Sequence, residues 1–202
     1  MAKLYFRHGA MGSAKTLNLL AVRHNYERQG KAVKLCKPAV DTRFGSDEVT
    51  SRAGLSYTAD IVLNPTSVLD AATFQGLSCV LVDEAQFLSP FVVDQLREMT
   101  RLADVPVICY GLRTDFRTRL FEGSRRLLEV ADSIEEIKTT CQFCNRKAVF
   151  NLRHDEAGRA ILDGPSVQLG GDERYSPTCY SCYYDKTAAA RALAAPAGAA
   201  AF

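Results

Sequence analysis

Apolar positions along the chain fall into two kinds of run. Cys79 to Val82 and Val105 to Tyr110 are short and continuously apolar. Runs of that kind suit strands covered on both faces, as in a parallel sheet flanked by helices. Lys3 to His8 reads as a further strand that leads into a glycine-containing loop, and Ala32 to Cys36 as another, closed by Pro38. Between them apolar residues recur at helical spacing. Lys15 to Gln29 places Leu17, Leu20, Ala21 and His24 on one face, and Gly30 stands where a helix ends. Phe91 to Leu102 repeats the pattern. Strand, helix and strand in alternation predict an open α/β sheet with right-handed crossovers.

After Lys138 the character changes. Segments shorten, and cysteine pairs bracket an expected hairpin: Ala148 to Arg153, a turn at Asp155 to Gly158, then Ala160 to Leu162. The expected organisation is therefore an α/β domain over residues 1–138, a second module over 139–186, and an alanine-rich tail over 187–202, disordered or a frayed helix. Composition adds little: 47% of residues are apolar, 24% are charged and the net charge is +2. Nothing there favours a nucleic-acid or membrane partner. With no long apolar run and no signal-peptide pattern, the chain is expected in the cytoplasm, where cysteines stay reduced. Cys36, Cys79 and Cys109 lie in strand-like runs and read as buried small hydrophobes.

Gly9-Ala10-Met11-Gly12-Ser13-Ala14-Lys15-Thr16 sits between the first strand and the first helix. It fits the phosphate-binding loop GxxxxGK[ST] except at Ala14, where the pattern has glycine. Small residues let backbone N–H groups curl around phosphate oxygens, and the helix N-terminus adds partial positive charge. Lys15 would reach the β- and γ-phosphates, and Thr16 would ligate Mg²⁺. Alanine at 14 is expected to fit if its φ is negative. Downstream, Val80 to Gln86 ends an apolar strand in two acids. Asp83 would hold Mg²⁺ through water, and Glu84 would serve as general base, its pKa raised by burial and its neighbour. Ala85 and Gln86 complete the nucleotide-side segment.

Cys141-Gln142-Phe143-Cys144 and Cys179-Tyr180-Ser181-Cys182 are two CxxC pairs about 34 residues apart. Four thiolates at that spacing suit a tetrahedral Zn²⁺ with no open position, hence a structural site. Asp41 and Arg43 alone would read as surface loop, and Arg125–Arg126 as a solvated helix face.

Taken together, GAMGSAKT, KPAVDTR, VDEAQF, GLRTDF, the paired CxxC motifs and QLGGDERY resemble the type II thymidine kinases. The likeness runs from about residue 2 to residue 184. It implies a RecA-like P-loop sheet with a small zinc-ribbon-like domain carrying a lasso loop. It implies that Glu84 deprotonates the 5′-hydroxyl of deoxythymidine, and that Asp41 and Arg43 form a phosphate- and metal-side pair. Phe116 would pack near the thymine, and Met11, Leu112 and Asn151 would shape the pocket around its methyl. Ser166, Val167, Gln168, Leu169 and Gly170 would pair with the base edge through their backbone, with Tyr175 covering the nucleoside. The resemblance further implies Mg²⁺ with ATP, dTTP as feedback inhibitor and a homotetramer. Two other readings compete: a nucleic-acid-dependent P-loop ATPase with a zinc ribbon, and a non-catalytic zinc adaptor.

Overall fold

The computed structural model describes residues 1–43, 45–166 and 174–194. The chain runs β1 (Leu4–His8), α1 (Lys15–Arg28), β2 (Val33–Pro38), β3 (Glu48–Thr50), β4 (Ser56–Thr58), β5 (Ile61–Leu63) and α2 (Ala71–Phe74). It continues through β6 (Cys79–Val82), a 3-10 turn at Ala85–Phe87, α3 (Pro90–Leu102), β7 (Val107–Gly111), α4 (Glu122–Val130) and β8 (Ser133–Glu136). The last elements are β9 (Phe150–Arg153), β10 (Tyr175–Thr178) and α5 (Tyr180–Ala194).

Six strands form one sheet in the order β5-β2-β6-β7-β1-β8, and every pairing in it is parallel. Alternate side chains of the central strands enter two cores, as the period of two requires. Val80, Val82, Val107 and Cys109 pack on one face with Val92, Val93, Leu96 and Met99 of α3 and Leu127 of α4. Leu35, Cys79, Leu81, Ile108 and Tyr110 pack on the other with Leu19 and Leu20 of α1. This double covering explains why β6 and β7 are apolar at nearly every position. The α3 helix starts at Ser89, whose hydroxyl accepts from Val92 N–H at 3.3 Å, with Pro90 in its first turn. Such a cap contributes roughly 1 kcal/mol.

Several expectations need correction. In α1 the buried residues are Leu19 and Leu20, while Ala21 and His24 are exposed. The apolar stripe is turned because Val22 and Tyr26 take the outer contacts. The turn at Asp155 to Gly158 forms, with Gly158 N–H donating to Asp155 O. The segment at 160–162 meets only the end of β9, through the antiparallel bridge of Ala160 with His154 and the Ile161 N–H bond to Arg153 O at 2.9 Å, and it does not form the ladder partner of β9. That partner is β10, antiparallel, with Asn151 opposite Pro177 and Arg153 opposite Tyr175. Of the two expectations for the tail, disorder or helix, residues 187–194 take the helical one and continue α5. Thr187 is fully buried and its hydroxyl donates to Tyr183 O, so this turn packs inward. Residues 195–202 lie outside the described residues.

Burial pushes the Cys36 and Cys79 thiols up to about 12, and Cys109 is raised likewise. All three are core residues with inert thiols. Arg125 and Arg126 lie on α4, Arg125 paired with Glu129 and Arg126 with Asp94 and Glu129.

Gly123 brings α4 onto the turn after β6. A Cβ there would lie 2.5 Å from Ala85 O, 2.7 Å from Leu88 O and 2.9 Å from Gln86 O, all backbone. Gly123→Ala is therefore expected to cost about 1–3 kcal/mol in urea unfolding. An unchanged midpoint would show that the contact yields freely.

Candidate active site

Parallel strands present their carboxyl ends at one edge of the sheet. The loops after β1, β2, β6 and β7 all open there. The phosphate loop follows β1. Gly9 has no room for a side chain, since a Cβ would stand 2.4 Å from both Ile137 O and Ser13 Oγ. Gly12 has φ 74°. Ala14 has φ 60° and ψ 31°, contrary to the negative φ expected of it. This is the left-handed conformation, which costs an alanine about 1–2 kcal/mol relative to glycine. Lys15 Nζ donates to Ala10 O at 2.9 Å and Gly9 O at 3.2 Å, curling over the loop. Burial lowers the pKa of its ammonium, opposed by the Glu84 and Asp83 carboxylates.

Thr16 lies in the first turn of α1, and its hydroxyl donates to Asp83 Oδ2 at 3.0 Å. The two residues expected to face Mg²⁺ are thus adjacent, a hydroxyl and a carboxylate that suit a hard cation. Burial, with the Glu84 carboxylate beside it, drives the Asp83 carboxyl well above the usual range. In the structure the Glu84 carboxylate faces a guanidinium: Arg43 Nη2 donates to its Oε1, and Gln86 Nε2 donates to its Oε2. Glu84 also adopts φ 48°, a strained value at a functional turn.

Arg43 is held in turn by Asp41, with Nε donating to Oδ1 at 2.8 Å. Lys37, fully buried at the end of β2, lies 3.7 Å from Asp41 Oδ2 and donates to Glu48 O at 2.8 Å and Gly45 O at 3.3 Å. Burial opposes charge on Arg43, but Glu84 and Asp41 raise its pKa. Burial likewise opposes the Asp41 carboxylate, yet Arg43 and Lys37 hold its pKa low. The segment that alone read as surface loop is a buried ion-pair chain ending on Glu84.

A cavity of about 390 Å³ takes in these groups together with apolar and aromatic side chains. Lys15, Thr16, Asp83, Glu84 and Gln86 line it together with Leu112, Phe116, Asn151, Ser166 and Tyr175. Met11, Gly12, Ala14, Asp41 and Arg43 also reach it, whereas Gly9, Ala10, Ser13 and Ala85 do not. Val167, Gln168, Leu169 and Gly170 lie outside the described residues. Phe116 is buried, with the Arg153 and Arg117 guanidinium groups 5.1 and 5.4 Å from its ring centre. Asn151 does more than line the wall: its Oδ1 accepts from Met11 N–H at 2.8 Å and ties the phosphate loop to β9. Sequence reasoning missed the β3–β4 hairpin, whose Thr50, Ser51 and Arg52 reach the cavity. Its three-residue strands carry no periodicity, and no motif marks them.

A family model described as thymidine kinase matches residues 2–183. The chain belongs to the thymidine kinase family. It is 46% identical over 188 residues to the thymidine kinase of Streptococcus gordonii, covering 91% of this chain and 97% of that one. It is 45% identical to the thymidine kinase of Shouchella clausii, covering 91% and 96% respectively. The Lactiplantibacillus plantarum thymidine kinase matches at 46%, over 91% and 96%. Among solved structures, the Pif1 helicase of Candida albicans overlaps at TM-score 0.39 and 10% identity, over 67% of this chain and 36% of that one. That overlap is too partial to bear on function. As a thymidine kinase, the protein is an ATP-dependent phosphotransferase, which sets aside the ATPase and adaptor readings.

This kinase carries its four outlying cysteines as one cluster. The sulfurs of Cys141, Cys144, Cys179 and Cys182 all lie within 4.8 Å of one another, with Cys144 and Cys179 3.6 Å apart. A tetrahedral ZnS₄ centre needs sulfurs about 3.8 Å apart, so the donor set fits zinc. Phe143 and Cys182 direct backbone N–H groups at the Cys141 and Cys179 sulfurs, each at 3.4 Å, which favours thiolates. The cluster pins the start of α5 to the turn before β9. From α5, the Tyr183 hydroxyl donates to Phe116 O at 2.6 Å. No helix among the described residues is long and apolar enough to cross a membrane.

Two outcomes are expected. Elemental analysis should find one zinc per chain, and Cys144→Ser should lose most of it together with about 2–5 kcal/mol of stability. A metal-free, equally stable wild type would refute the assignment. Ala14→Gly should raise the urea unfolding free energy by about 0.5–1 kcal/mol, because relief of the left-handed alanine exceeds the added chain entropy. A loss of stability would show that residue 14 is unstrained.

Proposed function

We propose that this kinase transfers the γ-phosphate of Mg·ATP to the 5′-hydroxyl of deoxythymidine, with Glu84 accepting the hydroxyl proton. The observation that carries this reading is that Glu84 lines the same cavity as Lys15, Thr16, Phe116 and Tyr175. A nucleoside lying along the aromatic side chains would bring its 5′-oxygen toward the acids, in line with a phosphate seated on the loop.

Lys15 would leave its carbonyl partners for the β- and γ-phosphate oxygens. Thr16 and Asp83 would hold Mg²⁺, which when bound neutralises charge developing on the phosphates. Arg43, bridging Asp41 and Glu84, supplies fixed positive charge beside the transferring group. The thymine would rest on Phe116, and Met11, Leu112 and Asn151 would close around its methyl. Residues 166–170 are proposed to read the base edge through backbone groups, beneath Tyr175. A nucleoside lacking the matching donors and acceptors would leave buried groups unpaired, at about 1–3 kcal/mol each. Deoxyuridine, lacking only the methyl, is expected as a weaker substrate.

Other parts of the reading rest on the family alone. They are inhibition by dTTP and a homotetrameric assembly; the division at residues 138 and 186 and residence in the cytoplasm are proposed from the sequence pattern.

The test supplies Mg·ATP and an equal mixture of the four common deoxynucleosides. Selective formation of dTMP is expected, and Glu84→Gln should reduce its rate about 10²–10⁴-fold while ATP binding is retained. A different monophosphate would overturn the pocket assignment. Turnover retained by Glu84→Gln would overturn the base.

A further inference from the structure

Gln86 follows the two acids and is only 2% exposed. Its carboxamide has two partners of opposite kind. Nε2 donates to Glu84 Oε2, and Oε1 accepts from Leu112 N–H at 2.9 Å. Reversing the amide would set oxygen against carboxylate and NH₂ against N–H, so only one orientation satisfies both ends. The space for this arrangement comes from Gly111. A Cβ at that position would stand 2.6 Å from Gln86 Oε1 and 3.0 Å from Gln86 N. The last residue of β7 must therefore lack a side chain for the amide to lie where it does. Arg43 takes the other oxygen, Oε1, of the same carboxylate. The Glu84 carboxylate is thereby gripped from two directions, on a backbone already held at φ 48°.

We propose that Gln86 is a positioning residue for the base, fixing the Glu84 carboxylate against β7, and not a ligand of ATP or Mg²⁺ as its place in the motif suggests. The inference rests on Glu84 being the proton acceptor. Because Leu112 lines the cavity and is proposed to face the thymine, the same amide ties the base to a wall the nucleoside would touch. A carboxylate misplaced by about 1 Å loses roughly 10²-fold in rate without losing substrate affinity.

The test is a double-mutant cycle with Gln86→Met, which keeps an unbranched chain of similar length but neither hydrogen bond. Its kcat should fall about 10- to 100-fold, with KM for ATP and thymidine within about threefold. In a Glu84→Gln background the same change should alter residual turnover less than about twofold, because the group it positions is already gone. Gly111→Ala, which displaces the amide without removing it, should lower kcat in the same direction, and it serves if Gln86→Met does not fold. An unchanged kcat in folded Gln86→Met would overturn the proposal. So would a rise in KM for ATP as the main effect, or an equal loss in both backgrounds. If Glu84→Gln alone keeps full turnover, the base assignment fails instead, and the cycle separates the two failures.

Discussion

Parallel pairing is the constraint on which the rest depends. Six strands run the same way, so the carboxyl ends of β1, β2, β6 and β7 meet at one edge. Each end delivers a different group: the phosphate loop, the Asp41–Arg43 segment, the Asp83–Glu84 pair and the Leu112–Phe116 wall. Parallel strands need crossovers, and the crossovers bury both faces. That burial gives the edge its chemistry. Charges placed there have little water around them, and they must pair with one another or change protonation.

The two adjacent acids illustrate the outcome. Asp83 accepts from the Thr16 hydroxyl, and burial beside Glu84 raises its pKa. Glu84, one residue on, turns through a left-handed backbone and meets a guanidinium and an amide. Neighbouring carboxylates with separate environments can take separate roles. The ion-pair chain from Lys37 through Asp41 and Arg43 extends this order back into β2, and the Asn151 bond to Met11 extends it to β9.

Much of this was legible in the residues. The phosphate loop, the acid pair and the cysteine quartet each carry chemistry that demands those types at that spacing, and the structure brings each set together. Strands β6 and β7 were legible because double burial makes them continuously apolar. The edge strands β5 and β8 were not: Ile61 is only partly covered, and Ser133–Glu136 is largely polar. The strand partner of β9 was misread because the nearer segment offered a turn, while β10 lies past residues that carry no strand pattern. Ala14 taught the reverse lesson. A motif tolerates a small residue there, but only geometry reveals that its φ is positive.

The central claim is that one cavity brings a nucleoside 5′-oxygen to Glu84 and a γ-phosphate to Lys15. A crystal structure with thymidine and a non-hydrolysable Mg·ATP analogue tests it most directly. The expected result has the 5′-oxygen within about 3 Å of a Glu84 carboxylate oxygen, with the γ-phosphate in line beyond it. A 5′-oxygen turned away from Glu84, or phosphates seated off the loop, would contradict the account.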